Sequence, residues 1–67
     1  MNKRLFESKM KLFGDTNKTL ANYLGLSIAS VSAKKNENGT EFTKSEIDKI
    51  KQRYKLTADE INEIFFA

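Results

Sequence analysis

Residues 16–36 read TNKTLANYLGLSIASVSAKKN, and this stretch decides how the chain folds. Thr16 is a helix-capping residue, and behind it Leu20, Ala21 and Leu24 recur at the i, i+1, i+4 spacing of one buried helical stripe. Gly25 then stops the helix, because glycine tolerates the positive φ that a sharp turn demands. Ser27 caps a further helix that runs to about Asn36. Ala21 is small enough for the two helices to cross closely, and Leu20, Leu24, Leu26 and Val31 lock them at a fixed angle.

Upstream, residues 3–13 place Leu5, Phe6, Met10 and Phe13 near one helical stripe that ends at Gly14, a residue suited to a left-handed cap. Downstream, the polar run ENGT at 37–40 supplies a loop. Thr43 with Glu46, and Thr57 with Glu60, each match the capping box, in which hydroxyl and carboxylate satisfy two orphan backbone N–H groups. Ile47, Ile50 and Tyr54 form the stripe of a fourth helix, Leu56 fills the corner, and Ile61, Ile64 and Phe65 form the stripe of a fifth. Proline is absent, and strand alternation is nowhere sustained. The sequence therefore predicts an all-α fold, a compact five-helix bundle forming a single domain over residues 1–67.

A chain of 67 residues has room for one small core, since a domain of this size buries only roughly 60% of its unfolded surface. With no Cys and no His, neither a disulfide nor a zinc cage staples it, and helix packing carries the load. No apolar run approaches the roughly 18 residues of a membrane span, and MNKRLFESKMK lacks the apolar core of a signal peptide, so a cytoplasmic location is expected. Residues 1–35 hold seven Lys/Arg against two Asp/Glu, whereas residues 36–67 hold five against seven. Such a division suits a protein with one face on a polyanion, and it also suits ordinary surface scatter; the sequence pattern decides between them.

That pattern resembles the helix-turn-helix of the phage Cro/repressor (Xre-like) family, through Thr16, Asn17, Leu20, Ala21, Leu24, Gly25, Ser27, Val31 and Ser32. The segments EFTKSEIDKI and LTADEINEIFF are similar to the tail of small Cro-like regulators from phages of Gram-positive bacteria, so the likeness covers nearly the whole chain. It implies a lambda-repressor-like DNA-binding domain and a transcriptional repressor that binds double-stranded operator DNA. The partners implied are that DNA and a second copy of the chain on a two-fold site, the free chain being either dimeric or monomeric. No cofactor, metal, membrane or small-molecule substrate is expected.

On a wheel of roughly 100° per residue, Val31 and Lys35 mark the inward side of the third helix. Ala29, Ser32, Ala33 and Asn36 then face the major groove, where Ala29 and Ala33 suit thymine methyls. Ser27, Ser30 and Ser32 offer hydroxyls, and Ile28 lies on the border between core and groove. The resemblance puts Asn17 against a phosphate at the helix N-terminus, beside Thr16, and Lys18, Lys34, Lys35, Asn38 and Thr40 join it as backbone contacts. Plain solvation is the competing reading for each lysine, and helix propensity for each alanine. Lys35 stands where the family carries an inward Leu or Ile, so either its stem runs along the core or the helix is shifted. Glu37, in a loop longer than the family's, is repelled by phosphate. Phe65 and Phe66 are expected at a dimer contact, with packing on the first helix as the alternative for Phe66.

An enzyme is not expected, because the nucleophile and base inventory is missing and Glu46 and Glu60 are engaged in capping. The rival reading is a helix-turn-helix protein-interaction module, such as an antitoxin-like or repressor-antagonising partner that does not read DNA. A membrane-surface role for the first helix fits poorly, since Glu7 and Ser8 interrupt its polar face and Phe6 and Phe13 belong to the core.

Overall fold

The computed structural model describes residues 1–66. Among them the regular elements are all helical: α1 (Lys3–Leu12), α2 (Asn17–Leu24), α3 (Ile28–Lys35), α4 (Lys44–Tyr54) and α5 (Ala58–Ile61), which runs on into a wider π-type turn at Asn62–Phe66. Each boundary has a local chemical cause. Thr43 and Thr57 accept from the backbone N–H of Glu46 and Glu60, and both glutamates return the bond, as the two capping boxes require. Thr16 makes the same reciprocal pair with Thr19, a hydroxyl doing the work usually given to a carboxylate.

Helix ends follow the same economy. Gly14 adopts φ +71°, and the N–H groups of Gly14 and Asp15 return to the carbonyls of Lys11 and Met10, closing α1 in a Schellman turn. Gly25 closes α2 likewise, with Leu26 N–H on the Ala21 carbonyl at 2.9 Å. Only Leu26 and Ser27 then intervene before α3, so α2 and α3 are held side by side.

The core is built from both directions of the sequence. Phe6, Met10, Leu20, Ala21, Leu24 and Val31 come from α1 to α3, and Ile50, Tyr54, Leu56 and Ile64 meet them from the second half. Phe42, in the loop before α4, completes it: its ring stacks on Phe6 at 5.5 Å, and Phe65 meets both edge-on. Phe65 thus belongs to the aromatic core and is withdrawn from the dimer contact expected of it, whereas Phe66 stays 68% exposed, and Phe13, expected in the core, caps α1 at 45% exposure with its ring against Tyr54. The chain start is tied to the last turn by Asn2 N–H on the Ile64 carbonyl at 2.6 Å.

A polar knot complements this apolar packing. The Asp15 side chain is only 5% exposed, and Arg53 grips it with two bonds of 2.6 Å while Tyr54 and Thr19 donate at 2.6 and 2.7 Å. The bidentate Arg53 bond foremost, with Tyr54 and Thr19 adding to it, holds the Asp15 carboxyl far below the usual carboxylate range against the opposing cost of burial. Burial, then donation to Asp15, pushes the Tyr54 hydroxyl well above the ordinary phenol range. Arg53 also lies over the Tyr23 ring at 4.6 Å, and the Tyr23 hydroxyl donates to the Lys49 carbonyl, so the knot draws α2 onto α4.

Asp15→Asn is expected to cost about 2–3 kcal/mol, because Arg53 and Tyr54 lose their charged acceptor. In thermal melts this is a fall of roughly 10–20 °C. The folded carboxyl titrates below its unfolded value of about 3.9, so the stabilisation is complete above about pH 5 and drains as the pH falls from there. The gap between wild type and variant therefore narrows toward about pH 2; a gap independent of pH would contradict the role given to Asp15.

Candidate functional site

The residues singled out on the sequence gather along α3 and the start of α2. Val31 is fully buried beneath α3, as its wheel position requires. On the other side Ile28 is 50% exposed, Ala29 and Asn36 are exposed, and Ser32 and Ala33 are half-buried. Ile28, left on the border by periodicity, therefore points to solvent. The result is an apolar and hydroxyl surface, open to the outside, with no charged side chain among Ile28, Ala29, Ser32, Ala33 and Asn36.

Two of these polar groups are partly occupied. The Ser27 hydroxyl caps α3 by accepting from Ser30 N–H at 3.1 Å and meets the Ser30 hydroxyl at the same distance. Asn36 accepts from the Lys3 ammonium at 2.6 Å, leaving its amide N–H groups outward among the described residues.

The lysines at the end of α3 depart from expectation. Lys34 is half-buried, and its ammonium donates to Glu46 Oε1 at 2.8 Å and to the Glu41 carbonyl at 3.3 Å. Burial opposes it, but the Lys34 bond and the Thr43 N–H together hold Glu46 below the ordinary carboxylate range. Lys35 is buried outright, its ammonium donating to Asn17 Oδ1 at 2.8 Å and lying 3.0 Å from Glu7. Of the two positions open for Lys35, the stem along the core is the one adopted, with helix register unshifted. The phosphate contact expected of Lys35 is thereby withdrawn, because its ammonium is buried and already paired with Glu7 and Asn17.

The start of α2 keeps more freedom. Lys18 is exposed and, among the described residues, forms no ion pair, while Asn17 is half-buried with only its oxygen engaged. Thr16 spends its hydroxyl on the α2 cap. In the following loop Asn38 is exposed and Thr40 half-buried. Glu37 takes φ +53° and accepts from the Met1 ammonium at 2.7 Å, a pairing that moderates its negative charge beside the site.

No sequence signal anticipated the acidic partners of Lys34 and Lys35. Glu7 and Glu46 lie on other helices, 28 and 12 residues away along the chain, and such pairings follow from tertiary packing alone. Comparison with protein-family models, with curated proteins and with solved structures returns no match to this chain.

The contrast between tied and free lysines is measurable without any ligand. Lys34→Ala strips Glu46 of its cation and is expected to cost about 1–2 kcal/mol in urea denaturation. Lys18→Ala is expected to stay within about 0.5 kcal/mol of wild type. Equal costs would contradict the assignment of Lys34 to the protein's own framework.

Proposed function

We propose that this chain is a Cro-like transcriptional regulator, a sequence-specific binder of double-stranded DNA rather than an enzyme, in which α2 and α3 form a helix-turn-helix and α3 enters the major groove. The observation that carries this reading is the outward side of α3. Its own residues are uncharged, Ile28 and Ala29 stand exposed, Lys3 reaches it only at Asn36, and it is backed by Val31 in the core. Small side chains there let the helix backbone come close to base edges, with Ala29, Ala33 and Ile28 meeting thymine methyls and Ser32 and Asn36 supplying hydrogen bonds. Asn17 and Lys18 at the start of α2, with Asn38 and Thr40 in the loop, position the duplex through its phosphates.

Two copies on a two-fold site are part of the proposal. Phe66, at 68%, is more exposed than Phe13 or Tyr23, and it borders a largely apolar hollow with Phe42, Ile47 and Ile61, flanked by Lys44 and Asp48, which makes it the proposed dimer contact in place of Phe65. The interaction-module reading retains one specific support, the withdrawal of Lys34 and Lys35 into internal ion pairs. Salt dependence separates the two readings, since only phosphate neutralisation makes log affinity fall by roughly 0.9 per contact with log salt.

The test is selection of duplexes from a random pool followed by affinity measurement over a range of salt. Ala29 is exposed in the first turn of α3, where an acidic residue favours the helix but opposes phosphate, so Ala29→Glu is expected to fold and to lose binding by at least about 100-fold. Lys18→Ala is expected to weaken all sequences alike and to flatten the salt slope by about one unit. Selection of no duplex, or full binding by Ala29→Glu, would overturn the proposal.

A further inference from the structure

Lys35 is an unusual choice for a buried position, since a charged ammonium out of water is costly unless it is paired and hydrogen-bonded. Its side chain is only 5% exposed, yet its tip reaches two other helices: Glu7 of α1 at 3.0 Å and Asn17 of α2 at 2.8 Å. An ammonium has donors and no acceptor, so it selects the oxygen of the Asn17 carboxamide and never the nitrogen. The Asn17 Nδ2 group is turned the other way and, among the described residues, donates to nothing. A free surface asparagine would populate both amide orientations and several rotamers, and would lose that freedom on binding.

We infer that Lys35 is a positioning residue for DNA binding, which locks the Asn17 carboxamide with its two N–H donors outward at the start of α2, ready for a phosphate oxygen. This rests on the DNA-binding reading above. Lys35 itself touches no nucleic acid: it acts through Asn17, and its charge is balanced from behind by Glu7. The same buried ammonium ties α1, α2 and the end of α3 together, so the phosphate donor and the groove-facing helix are held in one frame.

The probe is a fluorescein-labelled mixed-sequence duplex of about 20 base pairs, because phosphate contacts form on any sequence. Lys35→Met keeps the apolar stem, and Glu7 is half-exposed and stays hydrated, so the variant is expected to fold; melting curves verify it. Lys35→Met is expected to weaken binding by about fivefold to tenfold, less than the loss of a whole charge-assisted contact, because the unlocked amide still reaches the phosphate part of the time. In an Asn17→Ala background the same substitution is expected to cost less than about twofold, since the group it positions is gone. Simple loss of positive charge would reduce affinity equally in both backgrounds, and equal losses overturn the inference while leaving the DNA-binding reading intact. Failure of the wild-type chain to bind the duplex at low salt sinks that reading and this inference with it. A second measurement needs neither a variant nor DNA: the Asn17 side-chain amide in the wild-type chain should show heteronuclear NOE values like those of the helical backbone. Values as low as those of exposed Asn22 would overturn the inference on their own.

Discussion

Asp15 carries a charge that its surroundings leave almost no water to solvate, so protein donors must match its oxygens, and Arg53, Tyr54 and Thr19 do so. The placement of α2 depends on that match. Asp15 stands between the Schellman turn that closes α1 and the cap that opens α2, and the grip of Arg53 brings this corner onto the end of α4. Once the start of α2 is fixed there, Gly25 and the two residues after it leave α3 little choice of direction. The surface proposed to read DNA is therefore held by a carboxylate two residues before Asn17, in the same hollow as Asn17 and Lys35, with the Tyr23–Arg53 stack as a second tie.

Charge in this protein is organised by folding more than by sequence halves. The basic first half and the acidic second half are joined by Lys9 with Glu60, Lys34 with Glu46 and the Met1 ammonium with Glu37, while Arg53 with Asp15 joins them in the opposite sense. These pairs consume Lys9 and Lys34 of the first half, while Lys3, Arg4, Lys11 and Lys18 form no ion pair among the described residues. Left at the proposed interface are Lys18, Lys3 on Asn36 and Lys11 beside Asn17, among a set of neutral donors, so DNA would be met by shape, methyl contacts and oriented N–H groups together with a few cations. Lys35 fits this arrangement, contributing through the group it orients.

Local signals were legible in the sequence, and long-range ones were not. The capping boxes at Thr43 and Thr57, the glycine stops at 14 and 25, and the burial of Leu20, Leu24, Val31, Ile50 and Ile64 all follow from interactions within one or two helical turns, and each could be read from spacing. Phe42 was invisible as a core residue because it belongs to no helical stripe; only the arrival of Phe6 and Phe65 gives it neighbours. Asp15 and Arg53 are 38 residues apart and look like any surface acid and base. For Lys35 the wheel and the charge pointed in opposite directions. Its apolar stem obeyed the wheel, and its ammonium was satisfied by two residues that only the fold brings within reach. The side of α3 that faces out was readable, whereas the fate of its lysines was not.

In the proposed complex the exposed side of α3 and the start of α2 meet the duplex together. Titrating 15N-labelled protein with a duplex obtained by selection tests it most directly, because every backbone amide reports at once. The expected result is that the largest shift changes fall on residues 17–18 and 27–36, with the knot around Asp15 undisturbed. Shifts that bypass α3 and collect around Phe42, Ile47 and Phe66 would contradict the account and assign the molecule's business to its other face.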